Sequence, residues 1–203
     1  MFKTVHGIRI NYEITGPQNT PVVMLSHSLA TTAQMWEPQI PLLESKFQVL
    51  CYDTRGHGLT DAPEGAYTLE QLATDVIGLL DALDIHQIHW VGLSMGGMIG
   101  QYLALEHADR IRSLSLCDTT ATLPVDAQPI WQERIDMARE HGMTALVEST
   151  LERWFTTPYR EANPPEVQRI REMVLNTPVA GFIGCSEAIR KLNFLPRLEN
   201  IKL

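Results

Sequence analysis

Apolar and polar residues alternate with period two at the start of the chain. Phe2–Val5 and Ile8–Thr15 therefore read as two strands, joined by a tight turn at His6-Gly7. Val22–Ser26 is a short continuous apolar run, the pattern of a buried strand. Pro38–Ser45 reads as a helix and Gln48–Tyr52 as a further strand. From Thr68 the period changes. Leu69, Leu72, Val76, Leu79, Leu80 and Leu83 fall on one helical face, and Thr68 with Gln71 forms a capping box. Ile88–Val91 then reads as a buried strand, Met98–His107 as a helix and Arg112–Cys117 as another strand. Strands alternating with helices predict an α/β fold, with a mostly parallel sheet covered by helices on both faces.

The pattern shifts after Asp118. Ile130–His141, Ala145–Trp154, Pro165–Asn176 and Ala180–Lys191 are helical in period, and no convincing strand interrupts them. Prolines at 124, 129, 158, 164, 165 and 178 punctuate the segment. The expected organisation is a core over residues 1–121, a helical lid over 122–191 and a return to the core at 192–203. The lid is expected to cover the C-terminal edge of the sheet.

Composition narrows the function classes. The chain has 203 residues and a formal net charge of −8. It has no basic stripe, so nucleic acid is not an expected partner. No apolar run reaches membrane-spanning length, so neither is a membrane. The N-terminal segment lacks a signal-peptide apolar region, so a cytoplasmic location is expected. Cys51, Cys117 and Cys185 are odd in number and far apart. They read as free thiols rather than disulfides, and their spacing is not that of metal ligands.

Candidate chemistry centres on Gly92-Leu93-Ser94-Met95-Gly96, which fits the G-x-S-x-G nucleophile elbow. Such a five-residue pattern can arise by chance. Here an apolar strand precedes it and a helix follows it, which is the context the motif requires. Ser94 is the candidate nucleophile. The small residues at 92 and 96 would let strand and helix pass close to the turn. The loop after Val22–Ser26 converges on the same sheet edge, so the N–H groups of Leu29 and Met95 are the candidate oxyanion hole. The alternative is a plain surface loop. His27 and His57, the latter within DTRGHG, read as organisers of their loops rather than as the base.

At these residues the chain resembles the α/β-hydrolase superfamily, and within it the 3-oxoadipate enol-lactonases of aromatic catabolism. The resemblance is carried by LSHSLATTAQMW, YDTRGHGLTDAPEGAYTLEQLATDV, GLSMGGMIGQYLALEHADRI, LCDTTA, RWFTTPY and CSEAI. Ser28 stands where many members have glycine, a feature that lactonase-like members share. The resemblance implies a serine hydrolase of the β-ketoadipate pathway, without metal or organic cofactor, opening an anionic lactone through a Ser94 acyl-enzyme. It also implies that local cations recognise the substrate. Arg134 and Arg153, flanked by Trp131 and Trp154, are the candidate clamp, unless Arg153 is a solvated helix residue and Trp154 lid core. A broader carboxylesterase or C–C bond hydrolase on the same scaffold is the alternative. A non-catalytic fragment that associates through its sheet edge is another.

The family's triad runs serine, acid, histidine. Its acid follows the core strand after the lid, and its histidine follows the last strand. No histidine lies beyond His141, so neither role can be carried to a residue here. Asp118 is a substitute acid only if a histidine joins it. The expectation is a C-terminally truncated chain that lacks the last strands and is inactive alone. Its 112–117 strand would be an open edge, inviting pairing with another copy or a complementing C-terminal segment.

Overall fold

The computed structural model describes residues Met1–Leu203. Six strands form one sheet: β1 (Phe2–Val5), β2 (Ile8–Thr15), β3 (Val22–Ser26), β4 (Gln48–Tyr52), β5 (Ile88–Leu93) and β6 (Ile111–Cys117). Their spatial order is β1-β2-β4-β3-β5-β6. The β1/β2 and β2/β4 pairings are antiparallel, and the β3/β4, β3/β5 and β5/β6 pairings are parallel. The sheet is thus mixed, with its parallel half at the end that carries Ser94. All five residues of β3 are buried, as its continuous apolar run requires at the centre of the sheet.

One face is covered by α2 (Leu69–Ala82) and α3 (Met95–Glu106). The apolar stripe of α2 buries Leu69, Leu72, Val76, Leu79 and Leu80. Thr68 Oγ1 accepts the Gln71 N–H at 3.0 Å, which is half of the expected capping box. Trp90 of β5 is fully buried here and donates from Nε1 to the Gly96 carbonyl at 3.0 Å, tying the central sheet to α3. On the other face a smaller cluster joins Val23, Leu25, Val49 and Cys51 to Trp36.

The helix expected at Pro38–Ser45 is a 3₁₀ turn at Ala33–Trp36 followed by the single-turn α1, Ile40–Leu43. Pro38 and Pro41 remove two amide donors, so a longer ladder cannot form. The elbow strand runs to Leu93 and α3 starts at Met95, closer to Ser94 on both sides than the apolar pattern indicates.

Residues beyond β6 form α4 (Gln128–His141), α5 (Val147–Trp154), α6 (Thr157–Glu161), α7 (Pro165–Asn176) and α8 (Val179–Arg190). The short α6 and a 3₁₀ turn at Leu195–Asn200 had no periodic signal of their own. The helix α8 packs on α4, with Gln128 Nε2 donating to the Arg190 carbonyl and Arg190 Nη1 donating to Gln132 Oε1, both at 2.7 Å.

The helix α8 also meets the core directly. A Cβ placed on Gly181 would lie 1.8 Å from the Gly56 carbonyl oxygen, so only a bare backbone fits. Tyr67 N–H donates to the Gly184 carbonyl at 3.1 Å, and Cys185 Sγ contacts the Arg55 carbonyl at 3.6 Å. Arg55 itself forks onto the buried Asp75 of α2 through Nε at 2.7 Å and Nη2 at 2.8 Å. The 53–60 loop is therefore clamped between α2 and α8. Because that loop leaves the C-terminal end of β4, this clamp holds α8 above the C-terminal edge of the sheet. β6 is hydrogen-bonded on one side only and lies at the sheet's edge.

Candidate active site

Ser94 sits between β5 and α3 with φ 52° and ψ −110°. A non-glycine residue there costs about 1–3 kcal/mol and persists only when its surroundings impose it. Three bonds do so. Ser94 N–H donates to the Cys117 carbonyl at 2.9 Å, and the Ser94 carbonyl accepts from Thr119 Oγ1 at 2.7 Å and from Met98 N–H at 3.1 Å. A Cβ on Gly92 would lie 2.3 Å from the Gly96 carbonyl carbon and oxygen. One on Gly96 would lie 2.3 Å from the Ser26 carbonyl oxygen. Glycine at both positions lets the turn close. The Ser94 side chain is half-buried, and Oγ makes no hydrogen bond within the chain.

The loop after β3 is buried from Ser26 through Thr31. The candidate oxyanion donors lie at its Leu29 and at the first residue of α3, Met95. Neither amide donates to a loop, cap or side-chain acceptor of the chain. Both residues are buried, and the hydrogen-bonding capacity of the two amides is unused within the chain.

His27 and His57 are both fully buried, with ring centroids 5.2 Å apart. His27 Nε2 accepts the Thr54 N–H at 2.9 Å, and His57 Nε2 accepts the Ala30 N–H at 3.0 Å. A ring nitrogen that accepts from a backbone amide has no proton and no spare lone pair, so neither side chain offers a base to Ser94. Burial pushes both rings below the ordinary imidazole range, His57 down to about 3, with the neighbouring His27 charge adding to the effect. The other five histidines make no hydrogen bond to Ser94 either. Asp118, with φ 40°, is exposed at the end of β6.

Helices α4 and α5 contribute an unusual pair of cations. Arg134 of α4 lies over the Trp131 ring at 4.7 Å and the Phe182 ring at 5.5 Å. Its Nε is buried without a partner. Burial first, and the nearby Arg153 charge second, push its guanidinium down to about 9, still charged at neutral pH. Arg153 makes only a 3.5 Å contact to Thr150 Oγ1. Apart from the exposed Arg112, every other arginine has a carboxylate within salt-bridge reach. Trp131 stacks on Arg134, whereas Trp154 is 39% exposed and stacks on neither arginine. Phe182 was not a sequence candidate. It is one of many apolar residues in α8, and its contact with Arg134 spans 48 positions that no local pattern links.

A cavity of about 640 Å³ lies elsewhere, between β2, β4, the Ala33–Trp36 turn and α7. It is lined by Asn11, Glu13, Glu37, Asp53, Arg169 and Met173 among others, and not by Ser94.

A strained serine at the turn between a parallel strand and a helix, in a mixed sheet flanked by helices, is the arrangement of an α/β-hydrolase fold. Residues 21–186 match the alpha/beta hydrolase fold family, and the chain belongs to that family. Within it the chain groups with the 3-oxoadipate enol-lactonases. It is 36% identical over 200 residues to 3-oxoadipate enol-lactonase 2 of Acinetobacter baylyi, covering 98% of this chain and 74% of that protein. The enol-lactonase structure from Burkholderia xenovorans LB400 superposes with a TM-score of 0.96 at 42% identity, over 100% of this chain and 78% of that one. A malate-bound thermophilic esterase from Thermogutta terrifontis superposes with a TM-score of 0.87 at 27% identity, over 95% of this chain and 72% of that one. No helix is long and apolar enough to cross a membrane.

Proposed function

We propose that the protein is a lactone hydrolase that opens 3-oxoadipate enol-lactone to 3-oxoadipate. Ser94 Oγ attacks the lactone carbonyl, and the amides of Leu29 and Met95 hold the oxygen that becomes negative. The ring C–O bond then breaks and releases an enolate, which takes a proton and becomes the ketone. The acyl-Ser94 ester that remains is hydrolysed by water. Because an enolate leaves more readily than an alkoxide, the demand for protonation of the leaving group is small. Ser94 needs a proton acceptor, and no group in this chain hydrogen-bonds its Oγ. In this reading the base is supplied from outside residues 1–203, by a C-terminal segment or another copy seated at the β6 edge.

The observation that carries the substrate class is the Arg134–Arg153 pair. A chain with net charge −8 leaves these two neighbouring cations without a carboxylate. An incoming carboxylate supplies the missing charge, and Arg134 is held by two aromatic faces while it waits. The kinship with enol-lactonases supports this lactone as the substrate. The malate-bound state of the related Thermogutta terrifontis esterase supports a carboxylate-bearing ligand in this reading.

The test is hydrolysis of 3-oxoadipate enol-lactone by a sample of verified intact mass, with Ser94→Ala as the control. Turnover that Ser94→Ala abolishes supports the reading, and turnover that survives it refutes it. In an active sample Arg134→Ala raises KM for the lactone and leaves KM for a neutral p-nitrophenyl ester nearly unchanged. An equal loss on both substrates rules out the clamp. Higher activity on the neutral ester than on the lactone would favour the broader carboxylesterase.

A further inference from the structure

The Ser28–Leu29 peptide is held from one side only. Its carbonyl oxygen faces three donors: His27 Nδ1 at 2.8 Å, Thr31 Oγ1 at 2.9 Å and Thr31 N–H at 3.3 Å. The peptide is planar and trans, so its N–H, that of Leu29, points the opposite way. That N–H has no acceptor among the chain's hydrogen bonds. The direction of the candidate oxyanion donor is therefore set by what grips the carbonyl on the other edge of the same plane.

His27 can provide that grip only as one tautomer. Its Nε2 accepts the Thr54 N–H at 2.9 Å, so the ring proton must reside on Nδ1, where it faces the Ser28 carbonyl. The ring is fully buried between Tyr52 and His57, with centroids at 6.4 Å and 5.2 Å. Its rotation is blocked. His57 acts on the next peptide, because its Nε2 fixes the Ala30 N–H, and Ala30 adopts φ 62°, a left-handed conformation that a non-glycine residue holds only under constraint.

We propose that His27 is a positioning residue for the oxyanion hole. Held by the Thr54 amide as its Nδ1–H tautomer, it grips the Ser28 carbonyl and so aims the Leu29 N–H at the oxyanion. Donation to the carbonyl also polarises the peptide and strengthens its N–H as a donor. The β4 loop, through Thr54, thereby sets the geometry of a donor on the β3 loop. This inference rests on the Ser94–Leu29 reading of the site.

Two amide replacements separate the roles of the ring. In His27→Asn the new amide nitrogen would stand near the place of Nδ1, which retains donation to Ser28. In His27→Gln the new amide oxygen would stand near the place of Nε2, which retains acceptance from Thr54. The probe is phenylboronic acid, which forms a tetrahedral adduct when Ser94 Oγ bonds to boron and the hydroxyl proton passes to solvent. One boron oxygen then occupies the hole. Binding is measured for the wild type, Ser94→Ala and both His27 variants.

His27→Gln is expected to weaken binding by about tenfold or more, below the hundred-fold scale of deleting an oxyanion donor outright, and His27→Asn by less than about threefold. A His27→Gln variant that binds as well as the wild type overturns the proposal, as does an equal loss in both variants. A wild type whose binding is insensitive to Ser94→Ala overturns the Ser94 reading, and this inference with it.

A second measurement needs no variant. In isotopically labelled wild type, the ring-nitrogen spectrum should show His27 as the neutral Nδ1–H form, and the Leu29 amide proton should move downfield on adding the boronate. The Nε2–H form, or a Leu29 amide that does not respond while Ser94-dependent binding is seen, overturns the proposal without reference to folding of the variants.

Discussion

Removing Arg134 should make the protein more stable and less able to recognise its substrate. The guanidinium is half-buried, its Nε is fully enclosed without a partner, and Arg153 adds a like charge nearby. Desolvating an ion costs several kcal/mol in a real protein, and a head that keeps part of its hydration carries roughly 2–3 kcal/mol of that. Against it stand two aromatic faces, Trp131 at 4.7 Å and Phe182 at 5.5 Å. At about 0.5–1 kcal/mol each they return about half the cost. Methionine fills much the same space without the charge. Arg134→Met should therefore stabilise the protein by about 1–2 kcal/mol, a rise in Tm of roughly 3–6 °C for a chain of this size.

The pH dependence carries its own sign. The folded value of about 9 lies below the unfolded 12.5, so the penalty is fully present below pH 9. It is relieved as pH rises through 9, and the gap between variant and wild type should narrow there. Urea denaturation from pH 7 to 10 measures both effects. A variant less stable than the wild type by more than about 1 kcal/mol would refute the orphan-charge argument, because it would show Arg134 to be a net structural contact.

Three further perturbations probe the frame. Burial holds His57 near 3 in the folded chain, against 6.5 unfolded, so its stabilising neutral form is present above 6.5 and is lost as pH falls towards 3. Unfolding free energy should drop by about 1.4 kcal/mol per pH unit from this ring in that window. His57→Gln should flatten the slope by one proton, and an unchanged slope contradicts the assignment. Gly181→Ala places a Cβ 1.8 Å from the Gly56 carbonyl oxygen, so α8 must lift, at a cost of more than about 2 kcal/mol in denaturant melts. A loss below about 0.5 kcal/mol would disprove the close approach. Asp75→Asn leaves the Arg55 fork, with side chains 6% and 4% exposed, without its counter-charge. It should cost about 3–5 kcal/mol, most of it recovered by also replacing Arg55 with Met, and a cycle showing no coupling would count against the pair.

The elements were legible wherever burial imposes a period on the chain. β3 is a run of five buried residues because it lies between two parallel neighbours. The stripe of α2 is visible because only one side of that helix meets the sheet. The elbow was legible because its glycines answer to contacts within a few residues, such as Gly92 against Gly96. The short 3₁₀ turns and α6 left no signal, because four to six residues hold little more than one turn, too few for an apolar spacing to repeat.

Sequence alone thus determined the strand and helix order, the placement of Ser94 at a tight turn and the kinship to a hydrolase family. All of these follow from side-chain polarity and glycine at neighbouring positions. Tertiary structure decided the rest. It seated His27 and His57 with their acceptor nitrogens filled by backbone amides 27 residues away, which closes the question of either serving as base to Ser94. It turned the Ser28 carbonyl inward and left the Leu29 amide free. It gave Arg134 the ring of Phe182 instead of that of Trp154. Hydrogen bonds and ring contacts between distant segments depend on the direction in which each group points, and direction becomes fixed only when the sheet brings its loops together at one edge.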